Sequence, residues 1–165
     1  MDWLCVYAIN IMKKINQINF KKTLSKFSTG VTVIAINNQN KIIGKTVNSF
    51  SSLSLSPPLV MFSLDKNSSS INNFKRSKFI SINFLSKKQI KISLNFAKKN
   101  SKWNDTEFFY GPFKTPIIKD CLSNLECTAE KLIPMGDHII FICKVINVLN
   151  NNKVKPLIYY NSQYL

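Results

Sequence analysis

Short runs of apolar and β-branched residues recur along most of the chain, and several alternate with polar residues as half-buried strands do. In Phe79–Phe84 alternate residues share a face, so three side chains lie on each side of the predicted strand. Leu125–Glu130 alternates in the same way, which predicts that Glu126 and Glu130 lie on its polar face. The predicted strands are Val31–Ile36, Ile42–Val47, Leu59–Leu64, Phe79–Phe84, Leu125–Glu130 and Ile139–Val148.

Apolar residues at helical spacing predict three short helical segments. The first covers Phe20–Phe27, with Asn19 as its N-cap and one face packed on the protein. A helical turn capped by the serines at 68–70 runs through Phe74, and a longer helix covers Lys87–Ala97.

Turn-forming residues separate these segments. Asn37–Asn40 joins the first two strands into a hairpin, and the residues Met135, Gly136 and Asp137 form a tight turn before the last strand. Pro57 and Pro58 end the segment before the third strand. Residues 100–119 contain one glycine and two prolines without clear periodicity, which predicts a long irregular loop.

Six or seven strands joined mostly by turns, with two or three short helices, indicate a mainly β fold. A closed or partly open antiparallel barrel fits this pattern best. We expect one domain over residues 19–165, preceded by an N-terminal leader of uncertain role at 1–18. The apolar stretch from Trp3 to Met12 is too short to span a bilayer, and its lysines follow it, unlike those of a signal peptide. These features favour a cytoplasmic protein, with Met12 as an alternative start of translation.

The formal net charge is +15, and almost all of the positive charge comes from lysines scattered along the chain. A positive surface attracts anionic ligands such as dinucleotides and flavin phosphates, and it attracts nucleic acid for the same reason. Because the lysines form no stripe, the charge alone favours none of these ligands.

The cysteines and the single histidine do not have the spacing of a metal site. Cys5, Cys121, Cys127 and Cys143 form no CxxC pair, and His138 is the only histidine. We therefore expect no metal, and we expect reduced thiols, with Cys127 and Cys143 at core positions on strands.

A series of short motifs follows along the chain in a characteristic order. FSTGVTVI at 27–34 leads to GKTVNSFSSLSLSPPLV at 44–60, and NFLSKKQ follows at 83–89. LEC at 125–127, GDH at 136–138 and PLIYY at 156–160 complete the series. In this order the motifs resemble those of the flavin reductase-like family, from about Phe20 to Tyr164.

The resemblance implies an FMN-binding split β-barrel, antiparallel and Greek-key-like, that forms a homodimer. It implies an NAD(P)H:flavin oxidoreductase that transfers hydride from NADH or NADPH to FMN or FAD. Family members of this kind include reductase components that pass reduced flavin to a partner monooxygenase. Positioning of the two rings, rather than side-chain chemistry, is then the main contribution of the protein.

The resemblance also implies which residues form the site. His138 is the catalytic candidate, since the histidine of the GDH turn approaches the nicotinamide or the flavin ring, while Asp137 either orients the imidazole or only closes the turn. Lys88 lies at a predicted helix start, where free backbone N–H groups favour phosphate. The predicted flavin contacts are Thr46, Val47, Asn48, Ser49, Ser51, Ser52, Asn83, Leu85, Lys88, Gln89 and Tyr160.

Two other functions remain open from the sequence. One is a split-barrel flavoprotein that holds FMN as a tight prosthetic group. The other is a nucleic-acid-binding β-barrel, suggested by the charge together with the 12 phenylalanines. A β-domain without a ligand is what remains if the motifs are coincidental.

Overall fold

The computed structural model describes residues 15–38, 41–151 and 153–165, and it is mostly β. The helices are α1 (Gln17–Leu24), α2 (Ile71–Arg76) and α3 (Ile90–Ala97), with a 3-10 turn at Lys87–Gln89 before α3. The strands are β1 (Thr29–Gly30), β2 (Thr32–Asn38), β3 (Lys41–Val47), β4 (Ser51–Leu55), β5 (Pro58–Asp65), β6 (Phe79–Phe84), β7 (Phe108–Tyr110), β8 (Pro116–Ile118), β9 (Ser123–Met135), β10 (His138–Asn150), β11 (Ile158–Tyr160) and β12 (Gln163–Tyr164).

A seven-stranded antiparallel sheet, in the order β3-β2-β6-β9-β10-β5-β4, forms the centre of the molecule. The sheet curls and brings Ser49, which follows β3, within hydrogen-bonding distance of Ser63 of β5. The Ser49 hydroxyl accepts from the Ser63 N–H at 3.0 Å and donates to the Ser63 carbonyl at 3.1 Å. This arrangement confirms the predicted mainly β, antiparallel fold.

Two apolar clusters cover opposite faces of β2, which explains its nearly continuous apolar sequence. Ile34 and Ile36 belong to the larger cluster, where the stacked rings of Phe62 and Phe141 lie 5.0 Å apart. Val33 belongs to the smaller cluster, beneath α3 and β8. The strand at the centre of the fold is therefore buried on both sides.

The predicted core cysteines are confirmed at Cys127 and Cys143, which are fully buried on β9 and β10. Burial raises the pKa of Cys143 to about 12 and also raises that of Cys127. Cys121 is likewise buried, with its pKa raised to about 12 by the same cause. These three side chains remain protonated thiols at neutral pH. Cys5 lies outside the described residues.

The first helix differs from its prediction in position and in packing. It covers Gln17–Leu24 instead of Phe20–Phe27, because the Asn16 side chain, and not that of Asn19, accepts hydrogen bonds from the first free N–H groups. None of its residues is buried, so the expected packed face is wrong for the described chain. Most of the predicted leader, residues 1–14, lies outside the described residues.

Residues 100–119 are also more ordered than predicted, since β7 and β8 form a small antiparallel hairpin there. This hairpin covers one face of β6: the Ser81 hydroxyl donates to the Pro116 carbonyl at 2.6 Å, and the Ile118 N–H donates to Asn83 Oδ1 at 2.9 Å. Periodicity missed the two strands because each has only three residues. The predicted β-turn at 37–40 is described only through Asn38.

In the described part of the chain, no helix is long and apolar enough to cross a membrane.

The structure confirms the tight turn between the last two long strands, with Gly136 at φ +54°, a conformation that favours glycine.

The β7–β8 hairpin also buries Glu126, contrary to the prediction that this residue lies on a polar outer face. The Glu126 carboxyl group is fully buried and accepts from the Phe113 N–H (3.1 Å), the Thr115 hydroxyl (2.7 Å) and Asn147 Nδ2 (2.8 Å). Alternation correctly separated the two faces of β9 but could not show that the β7–β8 hairpin covers the second one.

Replacing Glu126 by alanine should destabilise the protein, because the buried Thr115 hydroxyl, the Phe113 N–H and Asn147 Nδ2 lose their acceptor. We expect a loss of about 3 kcal/mol in the free energy of unfolding, measured by urea denaturation. Glu130→Ala, an exposed change on the same strand, should cost less than about 0.5 kcal/mol. Equal effects of the two substitutions would show that the buried carboxyl group does not hold the hairpin.

Candidate flavin site

A cavity of about 500 Å³ opens beside the end of β3 and the start of β10. We call it the main cavity. It is lined by residues 45–49, 63–65 and 67–69 together with Ala97, Lys99 and His138. The predicted positions Thr46, Val47, Asn48, Ser49 and His138 thus share one cavity.

Strand register explains why these distant segments meet. Thr46 on β3 lies opposite Val33, and the connection after β3 is bonded to β5 through Ser49 and Ser63. His138 begins β10 directly opposite Asp65, the last residue of β5. The end of β3 and the turn before β10 therefore reach the same side of β5.

Asp137 orients the imidazole of His138 as well as forming the turn. His138 Nδ1 donates to Asp137 Oδ1 at 2.7 Å, and in the neutral imidazole this leaves Nε2 as the acceptor. This hydrogen bond is the main cause that lowers the pKa of Asp137, and a backbone hydrogen bond and the nearby Lys66 lower it less. The structure thus shows both roles that the sequence left open for Asp137.

Several polar side chains of the main cavity are already bonded to the protein. The Thr46 hydroxyl donates to the Ser93 carbonyl at 2.7 Å, and Ser49 is occupied by Ser63. Lys45 Nζ donates to the Lys98 carbonyl at 3.1 Å, and burial lowers the pKa of Lys45. A ligand here would rely on backbone groups, on Asn48 and on the two cationic side chains, Lys45 and Lys99.

A smaller cavity of about 190 Å³ shares Thr46, Val47 and Asn48 with the main cavity. Two tyrosines, Tyr159 and Tyr164, complete it with their rings 5.2 Å apart. Tyr160, the predicted residue, is instead exposed, because successive side chains of β11 point to opposite faces. The residue before it in the same motif carries the ring that reaches the cavity.

Ser51 and Ser52 lie on β4, a strand that the sequence did not predict. They pair with Met61 and Val60 of β5, and neither lines the main cavity. The hydroxyl-bearing residues that do line it include Ser63, Ser68 and Ser69. The sequence contained this serine cluster, but its proximity to His138 depends on the β5–β10 pairing.

The structure does not bring Asn83, Leu85, Lys88 or Gln89 to the main cavity. Asn83 is fully buried: Nδ2 donates to the Val33 carbonyl (3.0 Å), and Oδ1 accepts from Ile118 N–H (2.9 Å) and Asn124 (2.8 Å). Leu85 belongs to the smaller core cluster. These two side chains pack and bond within the fold and do not line the main cavity, so their contact with flavin stays a prediction.

Gln89 and Lys88 line a separate cavity of about 490 Å³ that also contains carboxylates of Asp105, Glu107 and Asp120. Gln89 Oε1 accepts from the Ser86 N–H at 2.9 Å in a capping box, and Gln89 Nε2 donates to the Lys119 carbonyl at 2.7 Å. Capping thus accounts for Gln89, and the nearby acids make this cavity a poor place for phosphate.

The fold and the main cavity define a mainly β domain with a candidate ligand site at its strand ends. Residues 24–165 match the model of the flavin reductase like domain. The chain therefore belongs to the flavin reductase-like family, as its motifs indicated.

Similar proteins match most of this chain, and a solved one has a similar fold. The FMN reductase (NADH) SmoA of Agrobacterium fabrum is 33% identical over 137 residues, covering 83% of this chain and 79% of that protein. The flavin-dependent monooxygenase reductase subunit HsaB of Rhodococcus jostii is 30% identical over 146 residues, covering 88% and 75%. The solved NADH:FAD oxidoreductase SgcE6 of Streptomyces globisporus, in complex with NAD and FAD fragments, is 26% identical with a TM-score of 0.86, covering 91% and 92%.

Because His138 holds the charged form of Asp137, the carboxyl titration of Asp137 should reveal their contact. We expect an NMR midpoint below the ordinary value of 3.8 in the native protein and a return toward 3.8 in His138→Ala. Since the folded pKa is the lower one, the contact stabilises the fold above the ordinary pKa and is lost as pH falls through the folded pKa.

Lys66→Ala serves as the comparison, because it removes only a weaker attraction to Asp137. It should move the midpoint less than His138→Ala does. An unchanged midpoint in His138→Ala would contradict the observed hydrogen bond.

Proposed function

We propose that this protein is an NAD(P)H-dependent flavin reductase that reduces FMN or FAD and supplies the reduced flavin to a partner oxygenase. The observation that carries this proposal is the meeting of residues 46–49 with His138 at one cavity. Membership in the family and the printed activities of SmoA and SgcE6 support it.

The chemistry of the main cavity suits a flavin. Backbone groups and Asn48 offer donors and acceptors for the polar edge of the ring, while Val47 and Leu64 offer apolar contact. Lys45 and Lys99 offer positive charge for a phosphate. A bound flavin supplies the hydride acceptor, so the protein itself must bind, orient and shield.

His138 is the residue best placed to orient a second ring against the flavin. Its Nδ1 is held by Asp137 and the residue lines the main cavity, so we assign Nε2 as the nitrogen that accepts from a ligand. A hydrogen bond that this nitrogen accepts positions a ligand but transfers no hydride itself, and so it contributes modestly to the rate.

We further propose that the curled sheet is the split barrel of this family, that two copies form a homodimer and that the protein works in the cytoplasm, where reduced nicotinamide is available. The edge strand β4 supports the dimer, because Leu53 and Leu55 are 47% and 93% exposed on it. Exposed apolar side chains on an unpaired edge favour association with another chain.

Nucleic-acid binding receives less support from the structure. Phe62, Phe74, Phe96 and Phe141 are fully buried in the two clusters and are not available for stacking on bases. A salt-sensitive gel shift with single-stranded oligonucleotides would revive that function.

Purified protein should oxidise NADH or NADPH only when flavin is added. The reaction is measured as the loss of nicotinamide absorbance, with FMN, FAD and riboflavin added in turn. A reductase that releases its flavin should be colourless after purification and saturate with added flavin. A yellow protein that oxidises nicotinamide without added flavin would instead indicate a tight prosthetic group. No turnover with any pair of substrates would contradict the reductase proposal.

His138→Ala should lower kcat/KM about 10-fold, the equivalent of one hydrogen bond of about 1.4 kcal/mol, while flavin binding persists. His138→Gln, which keeps a polar group at this position, should recover part of the loss. Abolished flavin binding in His138→Ala would indicate a structural role for this residue.

Leu55→Asp should dissociate the dimer, because it places a charge in the proposed apolar contact. We expect at least a 10-fold rise in the dimer Kd, about 1.4 kcal/mol, measured by light scattering during size-exclusion chromatography. Leu94→Asp on α3, where Leu94 is 49% exposed, is the control and should leave the dimer intact. A monomeric native protein, or equal dissociation of both variants, would contradict a dimer formed through β4.

A further inference from the structure

A second groove, of about 410 Å³, opens along the edge strand β3 and is strongly basic. We call it the basic groove. The lysines at 41, 45, 99 and 102 line it, together with polar residues that include Ser69 and Asn73. Among the described residues that line it there is no carboxylate.

The basic groove is continuous with the main cavity. Lys45, Ser69 and Lys99 line both, so a single ligand can extend from one into the other. Lys41 and Lys102 line only the basic groove and lie beyond this junction. The two spaces together therefore have a ring-sized polar chamber at one end and a row of cations at the other.

Charge is distributed unevenly between the two spaces. The main cavity contains Asp65 and His138 as well as two lysines, whereas the described lining of the basic groove has four lysines and no opposing acid. Ammonium groups attract phosphate through charge-assisted hydrogen bonds, and a concave surface of one sign strengthens the local field. Neutral or cationic ligands gain nothing from such a surface.

Backbone geometry adds donors to this field. Because β3 is an edge strand in the described part of the sheet, one side of it carries backbone N–H and C=O groups without a described strand partner. From Lys41 to Lys45 the strand rises about 13 Å, which suits a short phosphorylated group rather than a long polymer. Gly44 lets α3 approach closely, since a Cβ there would lie 2.7 Å from the Phe96 ring.

We infer that the basic groove binds the diphosphate-bearing adenylate half of a dinucleotide whose redox-active half occupies the main cavity. This inference rests on the proposed reductase function and extends it to a second subsite. NAD(P)H and FAD share this chemistry, since each joins an adenylate to its reactive ring through two phosphates.

Direct binding tests the subsite without turnover. ADP-ribose has the adenylate and both phosphates but no redox ring, and its affinity can be measured by titration calorimetry. Lys41→Gln/Lys102→Gln should weaken ADP-ribose binding about 10-fold, as expected for the loss of two exposed charge contacts. Lys91→Gln/Lys144→Gln removes the same charge from exposed positions outside both spaces and should change the affinity less than about twofold.

Steady-state kinetics then identify which dinucleotide uses the groove. With FMN as acceptor, a rise in KM for NADH and NADPH but not for reduced nicotinamide mononucleotide assigns the groove to the nicotinamide co-substrate. With the mononucleotide as donor, a rise in KM for FAD but not for FMN assigns it to the flavin. Either pattern supports the inference.

The inference is overturned if native protein does not bind ADP-ribose, or if both double variants bind it as tightly as native protein or are weakened equally. Turnover of FMN with reduced nicotinamide mononucleotide should persist in Lys41→Gln/Lys102→Gln, because neither ligand reaches the changed lysines. Absence of all turnover in native protein, with ADP-ribose binding intact and sensitive to these lysines, would contradict the reductase proposal and not the phosphate subsite.

Discussion

Two hydrogen bonds between Ser49 and Ser63 join the end of β3 to β5, and the candidate site depends on that junction. β3 and β5 are far apart in the order of the sheet, with β2, β6, β9 and β10 between them. Only curling of the sheet brings them together, and the turn before β10 then completes the main cavity with His138. The same junction connects the main cavity to the basic groove, which runs back along β3.

Buried polar side chains in this protein mostly hold the fold together. Three of them each form two or more hydrogen bonds with other groups of the chain, namely Asn83, Gln89 and Glu126. Such groups are costly to bury unless they are bonded, so a bonded polar residue in a motif is not by itself a ligand contact. The flavin contacts that we propose for this chain accordingly lie at strand ends, where backbone and charged groups remain accessible.

The lysines illustrate how arrangement, rather than number, gives charge a function. Along the sequence they are scattered, and the net charge of +15 favours no particular anion. In the structure, lysines 41 and 45 of β3 come together with 99 and 102 after α3, because α3 packs against β3. A local field of one sign results at a place that leads directly into the main cavity.

Much of the structure was already determined by local sequence. Alternation in Phe79–Phe84 predicted β6 with the observed bounds, and Gly136 predicted the tight turn that presents His138. The order of motifs indicated the family, and the residues at 46–49 and His138 do meet at one cavity. These features depend on residues close together in the chain, or on a pattern that spans most of it.

Tertiary structure alone decided which of the remaining candidates line a cavity. Asn83 and Glu126 are buried because the β7–β8 hairpin covers them, and nothing in their own strands reveals that cover. Tyr159 and not Tyr160 lines the smaller cavity, because the two side chains lie on opposite faces of β11. The basic groove forms because α3 packs on β3. A sequence pattern specifies periodicity and faces, whereas the neighbours of a face are set by contacts between segments that lie far apart in the chain.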